Sequence, residues 1–180
     1  MVPTTPDEMR LQYIVLFSLF FQASFSQSDL LAEKRIQKLI QKMTLEEKVS
    51  LLHGNSKFYT SEIKRLGIPE WALSDGPHGV RAEMNRHEWK YTGQTNDSST
   101  CFPPGTAMAA SWNLELAKQR GLVLGEEARF RKKDVLLGPG INIIRSPLCG
   151  RNFEYLSEDP FLISQLSINY IKALQTKDVA

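Results

Sequence analysis

Two short apolar runs, Trp71-Ala72-Leu73 and Val135-Leu136-Leu137, each lead into a glycine-proline turn and then, further on, into a segment of helical periodicity. This order of strand, helix, strand, helix limits the fold more than any other feature of the chain. Strands separated by a helix-length crossover pair in parallel, because a tight hairpin joins only antiparallel neighbours. The pattern therefore predicts α/β architecture with a parallel sheet.

The helices carry their own punctuation. Asn113 is placed to cap a helix running to about Lys132, with Leu114, Ala117, Gly121, Leu124, Gly125 and Ala128 at i, i+3, i+4 spacing. A helical glycine costs about 1 kcal/mol relative to alanine. Two on one face therefore predict a close approach, expected here to a sheet. Asp159-Pro160 pairs an N-cap with proline at the first helical position. The helix it opens is expected over Phe161 to about Thr176, with Ile163, Leu166, Tyr170 and Leu174 on its inner side. Upstream, Leu31, Ile36, Leu39 and Ile40 give a helix over Leu30 to Lys42. Thr44-Leu45-Glu46-Glu47 is a capping box. It predicts a short second helix through Val49, Leu51 and Leu52 that stops at Gly54. Residues 55–70 are mostly polar and broken by Gly67 and Pro69. Residues 83–100 read as a long surface loop.

Leu11 to Phe25 is almost uninterrupted apolar sequence, too short to span a membrane comfortably. It ends in Ser24-Phe25-Ser26, small residues at the positions a signal peptidase reads. Residues 1–26 are thus expected to be a cleaved signal peptide, and residues 27–180 the mature chain, secreted or periplasmic. A start at Met9 would give the basic n-region, Met9-Arg10, that Asp7 and Glu8 do not. The run has no cysteine at the cleavage site and no second apolar run follows, so no membrane anchor is expected.

Composition removes several classes of function. With 22 Lys+Arg against 20 Asp+Glu, the net charge is +2, and the one basic cluster, Arg129 to Lys133, is short. No nucleic-acid partner is expected. Two cysteines are too few for a disulfide scaffold or a four-ligand zinc module; Cys101 and Cys149 read as two separate buried thiols. His53, His78 and His87 have no metal-ligand spacing, and Gly138-Pro139-Gly140 lacks the rest of a dinucleotide fingerprint. Neither a metal nor a cofactor is expected. His78 reads as a turn-stabilising residue.

Ligands of α/β units meet the loops that leave the carboxyl ends of strands. The first such loop is Ser74-Asp75-Gly76-Pro77-His78-Gly79-Val80-Arg81, in which an acid closely follows an apolar strand. The second is Gly150-Arg151-Asn152-Phe153-Glu154-Tyr155, with Ser157-Glu158-Asp159-Pro160 after it. Carboxylates accept from pairs of sugar hydroxyls, a guanidinium donates in a fixed fork, and aromatic faces cover the apolar side of a ring. By residue type alone, each loop could equally be a turn or a solvated connection.

Several motifs in fixed order carry a resemblance. They are Met43-Thr44-Leu45-Glu46-Glu47-Lys48-Val49, Leu73 through Arg81, Phe102-Pro103 through Ser111-Trp112-Asn113, Leu137 through Ile143, and Gly150 through Glu154 with Ser157-Glu158-Asp159-Pro160. Together they resemble glycoside hydrolase family 3, the β-glucosidase and β-xylosidase family, from about Leu31 to Ala180. The resemblance implies the front portion of a (β/α)8 TIM-type barrel, incomplete in this chain. It implies hydrolysis of terminal non-reducing β-linked sugars with retention, acting on a β-linked oligosaccharide or an aryl or alkyl β-glycoside. Asp75 resembles the family's sugar-binding aspartate at the innermost subsite, Arg151 the arginine beside it, and Glu154 a residue that orients that arginine. Arg81 is expected to pair with a nearby carboxylate.

The pattern also departs from the family. A retaining glycosidase needs two reacting carboxylates about 5–5.5 Å apart. The family's nucleophile lies in a Ser-Asp-Trp-like motif, after a Lys-His pair. Neither motif occurs here; the Ser-Asp pairs are Ser28-Asp29 and Ser74-Asp75. An eight-unit barrel takes about 250 residues. The expectation is an amino-terminal part whose nucleophile and acid/base lie beyond Ala180, with the 180 residues inactive alone. The alternatives are a β-xylosidase or other glycosidase of that family, or a catalytically dead carbohydrate-binding or interaction protein.

Overall fold

The computed structural model describes residues 30–93 and 98–180. The expected signal peptide lies outside the described residues. Helix α1 covers residues 30–42 and α2 covers Leu45–Ser50. The capping box between them forms as expected. The Thr44 hydroxyl accepts from the Glu47 amide at 3.2 Å, and the Glu47 carboxylate accepts from the Thr44 amide at 2.9 Å. Helix α2 stops at Ser50, earlier than expected, and Gly54 opens a strand instead of ending a helix.

That strand, β1 (Gly54–Ser56), pairs antiparallel with β2 (Tyr59–Thr60) across a bulge. The hairpin leans on the segment before the next strand, where the Leu73 amide donates to Phe58 O at 2.8 Å and the Thr60 amide to Trp71 O at 3.0 Å. Strand β3 spans Leu73–Asp75. The expected strand was Trp71-Ala72-Leu73, so the true one is displaced towards the acid, and Asp75 is its last residue. Helix α3 (Gly105–Ala110) and α4 (Leu114–Phe130) form the crossover. Strand β4 (Val135–Leu137) then pairs parallel with β3, Leu73 opposite Val135 and Asp75 opposite Leu137. The parallel pairing is the one the element order predicted. Helix α5 (Pro160–Gln175) follows. Residues 141–144 form no regular element, and Ile141 and Ile143 are exposed.

Both long helices are capped as their sequences require. Asn113 Oδ1 accepts from the Leu116 amide at 3.1 Å, and Asp159 Oδ1 from the Phe161 amide at 2.9 Å. Ala117, Gly121, Leu124, Gly125 and Ala128 of α4 are buried, as are Ile163, Leu166, Tyr170 and Leu174 of α5; Leu114 is exposed. One core joins Leu136 of β4 to Val80, Leu124, Ala128, Tyr170, Leu174 and Val179. A second joins Met108 and Ala109 of α3 to Ala117, Leu156, Ile163 and Leu166. The two glycines of α4 do mark a close approach, but to a helix. A Cβ on Gly121 would lie 2.2 Å from Tyr170 O, and one on Gly125 would lie 2.9 Å from Leu174 O. Periodicity says which face is buried, not what it meets. Among the described residues, no helix is long and apolar enough to cross a membrane.

Candidate functional site

Asp75 stands where β3 runs out, and its loop closes back on it twice. The Arg81 amide donates to Asp75 O at 3.1 Å, and Arg81 Nη1 lies 3.5 Å from Asp75 Oδ2. The expected pairing of Arg81 with a carboxylate is therefore present, and the carboxylate is Asp75 itself. Val80 is fully buried in the core beneath, so the residue beside it has little freedom of direction. On its other side the Arg81 guanidinium lies over the Phe58 ring, 3.9 Å from the centroid, a cation–π contact supplied by the hairpin.

The second loop turns through a single 3₁₀ helix, Asn152–Glu154. Asn152 Nδ2 donates to Ser146 O at 2.7 Å, closing the loop behind it. Arg151 Nε donates to Glu154 Oε1. The arrangement is asymmetric: the Arg151 side chain is 72% exposed and that of Glu154 only 10%. The Glu154 hydrogen bond holds the Arg151 pKa above the ordinary arginine value, with its charge and that of Tyr155 adding to the effect. Asp75 contributes a smaller pull in the same direction, so the two loops share one electrostatic neighbourhood.

Both loops line a cleft of about 460 Å³. Asp75, His78 and Arg81 come from the first loop, Phe153 and Glu154 from the second, and Tyr91 and Cys101 from the segment between. Arg151 is not on the wall; it reaches the site through Glu154. The His78 ring packs against Phe153, centroids 5.6 Å apart and planes tilted by 47°. Only the His78 carbonyl, accepting from the Phe102 amide at 2.7 Å, ties the turn as expected of it. Its buried Nε2 finds no hydrogen-bond partner among the described residues.

Sequence reasoning did not single out Tyr91 or Cys101 for the site. Nothing local marks them, since they enter the wall through a long irregular connection. Cys101 and Cys149 are both free, as expected, but both exposed, contrary to the buried thiols expected. Burial of a lone cysteine follows from its neighbours, and these sit on loops, not on core-facing strands or helices. Among the described residues, no group of three or more His, Cys, Asp or Glu could hold a metal ion. The arrangement suits a neutral polyol: two carboxylate acceptors, a guanidinium beside each, and ring faces at Phe153 and Tyr91.

Comparisons with known proteins identify the family. The profile of the Glycosyl hydrolase family 3 N terminal domain matches residues 28–180. A beta-glucosidase of Bacteroides ovatus is 56% identical over 148 residues, which cover 82% of this chain and 20% of that enzyme. A thermostable beta-glucosidase B of Acetivibrio thermocellus is 47% identical over 146 residues, covering 80% of this chain and 19% of its own length. The solved beta-glucosidase 3B of Thermotoga neapolitana in complex with glucose superposes with a TM-score of 0.67 at 35% identity, over 81% of this chain and 22% of that one. The chain spans about a fifth of the length of the curated relatives it matches. The units β3–α4 and β4–α5 form the front portion of a TIM-type barrel. With the match running through both loops of the cleft, this chain belongs to glycosyl hydrolase family 3, in its N-terminal domain.

Proposed function

We propose that this chain supplies the sugar-positioning part of a retaining β-glycosidase that releases terminal non-reducing sugars, glucose foremost, from β-linked oligosaccharides or aryl and alkyl β-glycosides. One observation carries the reading: Asp75 and Glu154, each held by an arginine, face one cleft from successive βα loops. Asp75 accepts hydroxyls of the terminal ring, and Glu154 holds the exposed Arg151 guanidinium beside the cleft, from where it donates to hydroxyls of a ring that projects out of it. A carboxylate already bonded to a guanidinium is a weak nucleophile and a poor proton donor. The reacting pair, about 5–5.5 Å apart in a retaining enzyme, is therefore assigned to residues other than these two. The identity with beta-glucosidases supports glucose over xylose. The apolar run at 11–25 supports export to the periplasm or medium.

The test is Asp75→Ala in the polypeptide that carries these residues and the remainder of its barrel. Leaving sugar hydroxyls unpaired in the ground state costs about 1–3 kcal/mol. Contacts that tighten as the ring flattens add to this. The kcat/KM for an aryl β-glucoside should therefore fall by at least about 10²-fold, with the thermal transition retained. Unchanged kcat/KM removes Asp75 from the sugar site. Faster turnover of the β-xyloside by the wild type transfers the assignment to a β-xylosidase. Sugar binding without turnover makes it a binding protein.

A further inference from the structure

The buried face of α4 carries a single charged side chain, Arg120, 6% exposed among alanine, glycine and leucine. No carboxylate pairs with it among the described residues. Its Nη1 donates to Pro103 O at 2.7 Å and its Nη2 to Pro77 O at 2.5 Å, and its guanidinium carbon lies 5.4 Å from the centre of the Phe102 ring. Desolvation pulls its pKa below the ordinary arginine value, so the fold bears the charge at a cost. An apolar side chain would join helix to core without that cost. What it would lack is a rigid fork able to bond two carbonyls at once.

The two carbonyls belong to different loops, and both loops build the cleft. Pro77 stands two residues after Asp75, and Pro103 two after Cys101. In front of the guanidinium the loops touch directly. The Phe102 amide donates to His78 O at 2.7 Å, and a Cβ on Gly79 would lie 2.2 Å from Thr100 O. We propose that Arg120 is a positioning residue of the cleft: its guanidinium clips the Asp75 loop to the Cys101 loop from behind, and so fixes where the Asp75 carboxylate stands. It touches no ligand and acts through Pro77 and Pro103. The link to catalysis rests on the β-glycosidase reading; the clip itself does not.

The experiment compares Arg120→Met, Arg120→Lys and Leu166→Ala in the same polypeptide. Leu166→Ala opens a cavity in the second core, which holds α4 through Ala117 and contains no residue of either loop. Arg120→Met keeps the apolar stem and leaves both carbonyls unpaired. Hydrogen exchange at the Phe102 and Arg81 amides should quicken by at least about tenfold, as a local opening does. The kcat/KM for an aryl β-glucoside should fall by on the order of 10²-fold, the scale of a misplacement near 1 Å. Arg120→Lys can bond one carbonyl at a time and should recover part of both losses. Leu166→Ala should lower the melting temperature and leave both readouts at wild-type values. Wild-type exchange and kinetics in folded Arg120→Met overturn the proposal, as does Leu166→Ala reproducing the losses. If the wild type turns over no glycoside, the functional reading fails, and the two amides alone decide for or against the clip.

Discussion

Replacing Gly121 by alanine sets two effects against each other, and the structure says which wins. Helix propensity favours the change by about 1 kcal/mol. The new methyl, however, lands 2.2 Å from Tyr170 O, 3.0 Å from the carbonyl carbon and 3.1 Å from Ala173 Cβ. The first obstacle is backbone inside a hydrogen-bonded helix, which cannot swing aside as a side chain tip can. Reaching ordinary contact requires α4 and α5 to part by about 1 Å, loosening the contacts of Leu124, Tyr170 and Leu174 between them. Overpacking of this kind costs about 1–3 kcal/mol, and a backbone obstacle puts it at the upper end. The net is a loss of about 2 kcal/mol, or about 4–8 °C in Tm for a domain of this size. Gly125→Ala is the internal control. Its methyl meets Leu174 O at 2.9 Å and Lys177 Cγ at 3.0 Å, far milder overlaps than at Gly121, so about 1 kcal/mol of crowding roughly cancels the propensity gain. Thermal and urea unfolding followed by far-ultraviolet circular dichroism reads both. A Gly121→Ala protein at or above the wild-type Tm would refute the close-packing argument.

Two further outcomes are expected. Burial pushes the Tyr170 phenol up to about 12, with Arg120 pulling part of the way back. Unfolded tyrosine titrates near 10, so this group's contribution to stability is full below about pH 10 and is lost as pH rises towards about 12. The hydroxyl has no hydrogen-bond partner among the described residues. Tyr170→Phe should therefore match or exceed the wild-type Tm at neutral pH and flatten the alkaline limb in a pH series of melts; a loss above about 1 kcal/mol at neutral pH would reveal a needed bond. Under the proposed export, the mature chain should begin at Gln27, as mass spectrometry of the product would read it; an intact Met1 in the periplasm or medium contradicts the leader assignment.

What the sequence made legible is local. The caps at Thr44, Asn113 and Asp159 are set by side chains bonding backbone two or three residues away, and all form as read. The parallel pairing of β3 with β4 follows from element order. The hairpin at 54–60 escaped because strands three and two residues long are too brief to show alternation. The partner of Gly121 was taken for a sheet because periodicity carries no information about what lies opposite. Asp75, Arg151 and Glu154 were singled out through the order of motifs, and Asp75 and Glu154 do line one cleft; residue types alone left both loops ambiguous. Arg120 left no trace: a single arginine in an amphipathic helix reads as solvent-facing until the two carbonyls it bonds are seen.

Each carboxylate of the cleft brings its counter-ion on its own loop, Asp75 with Arg81 and Glu154 with Arg151. The wall is thus electrically closed before any ligand arrives. The two pairs add no net charge to it, and the dipolar field they leave is screened over a Debye length, about 8 Å at physiological ionic strength. For the neutral β-glycoside proposed as ligand, the encounter with this wall should be insensitive to added salt, and an anionic sugar should gain no advantage from these two pairs. Discrimination by this wall is then expected in the last few ångströms, where hydroxyls of the proposed ligand trade water for groups already held in place.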